Sequence, residues 1–157
     1  MNEKNKIRST RVLVVEDNPI DVRLIRYALE QERNWTTDMI VAEDGEKAIS
    51  LLNEGASPRG RSGRPDFVIL DLNLPKRDGT EVLQAIRHNQ ELRHLPVAIL
   101  SSSPTDIVRG KIMDANVHAN WYFTKPMDAD SFIALGKTLH DCYRSNRAAQ
   151  CETERLM

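Results

Sequence analysis

The feature that most limits how this chain can fold is an alternation that runs along its whole length. Short runs rich in β-branched residues, at 11–16, 37–42, 67–70, 96–100 and 121–124, are each followed by a longer stretch with helical periodicity. Phe67-Val-Ile-Leu70 and Pro96-Val-Ala-Ile-Leu100 carry no polar residue. That suits central strands of a parallel sheet, buried on both faces, better than the half-polar strands of an antiparallel one. Strands interleaved with helices predict an α/β fold with helices packed on both faces of the sheet. Local chemistry marks where those helices begin. Asn18 before Pro19, Asp44 and Asp128 are N-cap residues, and Ser103-Pro104 is expected to open the fourth helix. Val22, Ile25, Tyr27 and Leu29 carry the first helix to about Glu32, and Ala48, Ile49 and Leu52 carry the second to Gly55. The third spans Gly79 to about Asn89, and Phe132, Leu135, Leu139 and Tyr143 form the apolar stripe of the last.

Five such units use most of the 157 residues, so one domain over 10–145 is expected, with terminal extensions at 1–9 and 146–157 and no output domain. Twenty-two basic residues against twenty-three acidic ones leave a formal charge of −1, with no positive field to hold nucleic acid, and no direct nucleic-acid partner is expected. The first apolar run, Val12–Val15, is closed by Glu16 and Asp17 and is too short for a signal peptide. No stretch approaches the ~20 apolar residues of a membrane span, so a cytoplasmic protein with no membrane partner is expected. Cys142 and Cys151 lack metal-site spacing and suit a reducing compartment. The sequon Asn34-Trp35-Thr36 is read as coincidence. The Gly/Ser/Pro stretch at 55–65, with its three arginines, is read as a solvated loop, and the polar tail Arg144–Met157 as a segment that frays. His88, His94, His118 and His140 show no metal spacing and are placed on helix and loop surfaces, whereas Met113 and Met127 are taken as packing residues.

In an open parallel sheet, ligands bind beyond the carboxyl ends of the strands where the strand order reverses. The expected order, 2-1-3-4-5, is that of a flavodoxin-like (βα)5 sheet, and it sets strands one and three side by side across that reversal. Glu16 and Asp17 end strand one and Asp71 ends strand three. Three converging carboxylates without a counterion would be costly, and hard oxygen ligands are what Mg²⁺ prefers, so a divalent cation is implied. Strand four ends in the hydroxyl of Ser101 and strand five in Lys125, followed by Pro126. A lysine beside a carboxylate and a dication can clamp a phosphoryl oxygen, and a nearby hydroxyl can bond another. The set is suited to phosphoryl transfer. A purely structural Lys125–Asp71 salt bridge is the alternative that spacing leaves open.

The segments VLVVEDNPIDVRLI, ILDLNLPKRDG, PVAILSSS and YFTKPMD, in this order and on these strand ends, resemble the receiver domain of two-component response regulators, the chemotaxis-regulator-like family. The resemblance covers about residues 10–145. It implies that Asp71 is the phosphoacceptor, that Glu16, Asp17, Asp71 and the backbone carbonyl of Asn73 bind Mg²⁺, and that Lys125 holds the phosphate. It further implies a catalytic and switch role for Ser101, with Tyr122 as its aromatic partner, and a cis peptide at Lys125-Pro126. The long loop before strand three and the ILDLNLPKRDG segment look most like the single-domain regulators associated with bacterial phytochromes. The expected partner is then a sensor histidine kinase, with a bacteriophytochrome as the candidate. One departure stands out: Ser101 to Lys125 is a slightly longer spacing than the resemblance implies, and His118 stands where a glycine usually ends helix four.

Two other classes compete with a phosphorylation-controlled regulator that catalyses only its own phosphorylation and dephosphorylation. An aspartate-nucleophile phosphatase of the haloacid dehalogenase type needs a second aspartate two residues after the nucleophile, and Asn73 occupies that position. A receiver-like scaffold that is never phosphorylated would have no use for intact Glu16, Asp17, Asp71, Ser101 and Lys125. Strand five, as an aromatic edge with no blunting lysine or proline, is expected to be covered by homodimerisation through helix four, strand five and helix five.

Overall fold

The computed structural model describes residues 8–55 and 63–156, with side chains at 8–54 and 63–150. Five strands and five helices alternate: β1 Thr10–Val15, α1 Pro19–Glu30, β2 Thr37–Ala42, α2 Gly45–Gly55, β3 Phe67–Leu70, α3 Gly79–His88, β4 Val97–Ser101, α4 Thr105–Asp114, β5 Trp121–Thr124 and α5 Ala129–Leu156. The strands form one sheet in the order β2-β1-β3-β4-β5, and every pairing is parallel, as the sequence predicts.

Successive side chains of a strand point to opposite faces, so each central strand feeds two cores. Leu13, Val15, Val68, Leu70, Val97 and Ile99 pack with Leu52 of α2, Val82, Leu83 and Ile86 of α3, and Val108 and Ile112 of α4. Their alternates Val12, Val14, Phe67, Ile69, Ala98 and Leu100 pack with Ile25 and Leu29 of α1 and Phe132, Leu135 and Leu139 of α5. Burial on both faces is why these strands show unbroken apolar runs. Helices α1 and α5 approach so closely that a Cβ on Gly136 would lie 2.6 Å from the Ala28 carbonyl oxygen. The predicted caps are present: Asn18 accepts from the Ile20 N–H at 2.9 Å, Asp44 from the Lys47 N–H at 2.7 Å and Asp128 from the Ser131 N–H at 2.8 Å.

Several expectations are corrected. The polar tail does not fray; α5 continues to Leu156, because Arg144–Leu156 contains good helix formers and neither Gly nor Pro. Ser103-Pro104 does precede α4, which begins at Thr105 with Pro104 as its N-cap and no side-chain cap hydrogen bond. Met113 and Met127 are exposed and not packing residues. His140 is buried, stacked on Trp35 at 4.7 Å with its Nδ1 3.5 Å from Glu32, so it is not a surface histidine. The stretch at 56–62 lies outside the described residues.

The end of α4 is also built differently from the sequence expectation. His118 does not supply the left-handed turn; Asn116 does, at φ 57°. The Asn116 N–H bonds the Met113 carbonyl at 2.9 Å and the Val117 N–H reaches the Ile112 carbonyl at 3.4 Å. This is a Schellman ending, with buried Val117 and Ile112 as its apolar pair. Asn is the non-glycine residue best suited to that conformation. Asn116→Ala is therefore expected to lower stability by about 1 kcal/mol in urea denaturation, while His118→Ala changes it by less than about 0.5 kcal/mol. Equal losses would return the left-handed role to His118.

Candidate functional site

The sheet itself positions the site. Parallel pairing continues past the last strand residues: the Glu16 N–H bonds the Ala42 carbonyl at 3.0 Å, Asp71 bonds Val15 at 3.0 Å and Lys125 bonds Ser101 at 2.8 Å. Glu16, Asp71 and Lys125 are therefore held by backbone geometry at one edge of the molecule. Gly79 closes the loop after β3, where a Cβ would lie 2.4 Å from the Asp71 carbonyl oxygen. The glycine of the KRDG segment is thus fixed by close backbone approach.

Glu16 and Asp71 are buried and Asp17 is exposed, and each offers a carboxylate oxygen within 4.8 Å of the others. Three hard oxygen donors at that separation fit a divalent cation that keeps part of its water shell. The Lys125 ammonium sits among the same groups, 2.7 Å from Glu16, 3.0 Å from Asp71 and 3.0 Å from Asp21. Asp71 uses its other oxygen to accept from the Asn73 N–H at 3.1 Å, which draws the Asn73 backbone into the site while its side chain is exposed.

Asp21 is the member that sequence reasoning missed. It occupies the third position of α1, where an acid is ordinarily read as a favourable partner of the helix dipole. The available signal was its position in the turn that leaves the carboxyl end of β1. Aiming of the lysine also differs from expectation. No peptide bond among the described residues is cis, so Lys125-Pro126 is trans. The backbone bond to Ser101 and the three carboxylates direct the side chain instead.

Burial, the largest influence, pushes the Glu16 carboxyl up to about 7, and the Asp71 charge adds to it, against hydrogen bonds from Lys125 and the Asn18 N–H. For Lys125, burial works against the ammonium, yet hydrogen bonds to Glu16, Asp21 and Asp71 outweigh it and raise its pKa. The site thus favours a cation at its centre.

Ser101 is buried, and its hydroxyl accepts from the Ser103 N–H at 3.2 Å. Strand β5 pairs Tyr122 with Ile99 and Thr124 with Ser101, which places Tyr122 on the Ser101 face of the sheet. Tyr122 is half-buried against the core on that side. Its hydroxyl accepts from the Ala119 N–H at 3.2 Å, and the Arg109 guanidinium lies 5.0 Å from the ring centroid.

The model of the response regulator receiver domain matches residues 12–136. The chain belongs to the response regulator receiver domain family. It is 36% identical over 114 residues to the response regulator Rcp1 of Synechocystis sp. (strain ATCC 27184 / PCC 6803 / Kazusa), covering 73% of this chain and 75% of that protein. The Mn²⁺-bound structure of Rcp1 superimposes with a TM-score of 0.70 at 30% identity, over 83% of this chain and 91% of the other. For the phosphorylated cyanobacterial phytochrome response regulator RcpA the TM-score is 0.75 at 32% identity, over 88% and 96%. The bacteriophytochrome response regulator AtBRR gives 0.64 at 37%, over 81% and 89%. This receiver is therefore homologous to response regulators of two-component systems, phytochrome response regulators among them. Among its described residues, no helix is long and apolar enough to cross a membrane.

The raised Glu16 pKa fixes a pH dependence. Between its ordinary value of 4.5 and about 7, the folded receiver holds a proton that the unfolded chain has released, so stability falls as pH rises through that window. The stabilisation from Lys125 is fully present there, because lysine ordinarily titrates near 10.5. Without divalent ions, urea denaturation at pH 5 and pH 8 is expected to differ by on the order of 2 kcal/mol, and Glu16→Gln to remove most of the difference. An unchanged slope in the variant would assign the titration to another group.

Proposed function

We propose that this receiver accepts a phosphoryl group on Asp71 from the phosphohistidine of a sensor histidine kinase, in a Mg²⁺-dependent reaction that it catalyses itself. The observation that supports this most is the arrangement of Asp71: a buried carboxylate 3.0 Å from Lys125 and within 4.8 Å of two further strand-end acids. Asp71 needs no general base, since an ionised carboxylate is already the nucleophile. One of its oxygens forms the new bond to phosphorus as the phosphorus–nitrogen bond to the kinase histidine breaks, and the electron pair returns to the imidazole. Lys125 neutralises the transferring oxygens, and Ser101 donates to one of them. Glu16, Asp17, Asp71 and the Asn73 carbonyl would hold the Mg²⁺, which supplies further charge neutralisation when bound. Water later hydrolyses the acyl phosphate, restoring Asp71.

Phosphorylation draws Ser101 toward the phosphoryl group, and Tyr122, on the same face, follows it inward by giving up the Ala119 N–H. The receiver unit is taken as residues 10–145. Its similarity to phytochrome response regulators supports a bacteriophytochrome kinase as the donor. The same chemistry has a place in the cytoplasm, where such kinases present their phosphohistidine. Signalling passes through a homodimer formed by α4, β5 and α5, with no direct nucleic-acid contact. Strand β5 is a sheet edge with half-buried Trp121, Tyr122 and Phe123, and the neighbouring α4 exposes Ile107 and Met113. Covering such an edge removes unpaired backbone groups and apolar surface together.

Incubation with acetyl phosphate and Mg²⁺ is expected to add one phosphoryl mass in intact-protein mass spectrometry. Asp71→Asn, Asp17→Asn or EDTA should each reduce labelling by at least about a hundredfold, as expected when a nucleophile or its metal is lost. Equal labelling of Asp71→Asn would overturn the assignment. In analytical ultracentrifugation, beryllofluoride is expected to shift dimer affinity by about 1–3 kcal/mol. A monomer in both states at high micromolar concentration would rule the dimer out.

A further inference from the structure

The strand-end acids do not account for everything that holds Lys125. An ammonium has three N–H donors, and here three carboxylates receive them. Glu16 and Asp71 belong to the proposed metal and phosphoryl site, but Asp21 comes from the first turn of α1, 3.0 Å from the lysine nitrogen. Its side chain is 20% exposed, and its Oδ2 faces the ammonium and not the N–H groups of its own helix. Glu16 and Asp71 already satisfy the charge of Lys125. Asp21 therefore adds negative charge to a site that has to admit a phosphoryl group.

We propose that Asp21 is a positioning residue that competes with the phosphoryl group for the Lys125 ammonium and so limits how much of the receiver is phosphorylated at a given donor supply. The inference rests on the reading of Asp71 as phosphoacceptor and goes beyond it to how that site is tuned. Two effects act in the same direction. Lys125 must give up or share one of its three carboxylate bonds to reach a phosphoryl oxygen, and Asp21 competes for that donor. Asp21 and Asp71 also contact the same nitrogen, so their oxygens lie no more than twice that contact distance apart, and a phosphoryl group on Asp71 meets the Asp21 charge at close range. Like charges at such separations, in a site of intermediate dielectric, alter an equilibrium by about tenfold. A helix-dipole role alone would make Asp21 matter for stability and leave phosphoryl affinity untouched.

The test is beryllofluoride binding to the full chain at saturating Mg²⁺, with Mg²⁺ affinity measured separately on the same proteins. Asp21→Asn, which keeps the shape and removes the charge, is expected to bind beryllofluoride about tenfold more tightly. Its Mg²⁺ affinity should weaken and not strengthen, because the same lost charge acts on a dication with the opposite sign, and Asp21→Glu should return the beryllofluoride affinity to the wild-type value. Asp21→Ser provides a second charge-free variant should the asparagine fail to fold. Unchanged or weaker beryllofluoride binding in a folded charge-free variant would overturn the role of Asp21 while leaving the phosphoacceptor reading intact. Wild-type protein that takes up no beryllofluoride, or Asp71→Asn that takes up as much as wild type, would overturn both.

Discussion

One ammonium group organises this receiver. Lys125 stands at the end of the edge strand β5, yet its nitrogen reaches acids delivered by β1, by the first turn of α1 and by β3. Four elements meet in it. A buried cluster of carboxylates with no cation would repel itself apart or take up protons. Removing Lys125 would leave uncompensated charge under the sheet edge, a far larger penalty than losing a surface ion pair. The contacts to Glu16 and Asp71 also connect the two strands at the reversal of strand order to the strand farthest along the sheet. The site is thus as much a product of the topology as of its residues.

That connection gives the proposed switch its physical route. The chain that ends in Lys125 begins with Trp121 and Tyr122, and the Lys125 N–H is bonded to Ser101 at the end of β4. A change in what Lys125 and Ser101 bind can therefore reach the α4 and β5 face through two adjacent, hydrogen-bonded strands. Besides its packing against the core, Tyr122 is held by one N–H and by the Arg109 guanidinium over its ring. Polar contacts of that kind are worth about 1 kcal/mol each.

Much of this was readable from the chain because strand ends in a parallel sheet carry the chemistry. Once the five β-branched runs are recognised, Glu16, Asp17, Asp71, Ser101 and Lys125 fall at their carboxyl ends without further assumption. What escaped the sequence depends on contacts between distant segments. Asp21 looks like an ordinary first-turn acid until α1 is docked against the sheet. His140 looks like a surface residue until Trp35, far away in sequence, stacks on it. Met113 and Met127 have core-like chemistry but stand on the outside. The left-handed turn after α4 falls at Asn116 because the helix stops at Asp114, a boundary that periodicity does not fix to the residue. The continuation of α5 was obscured by reading polarity as disorder, when helix propensity depends on side-chain and backbone entropy.

A crystal structure of the receiver with Mg²⁺ and beryllofluoride tests the role of Lys125 most directly. Beryllium is expected to be bonded to an Asp71 oxygen, a cation to be held by Glu16, Asp17 and Asp71, and Lys125 to have moved off Asp21 onto a fluoride, with Ser101 donating to another. Beryllofluoride on a different carboxylate, or Lys125 still bound to all three acids beside an occupied Asp71, would contradict this arrangement.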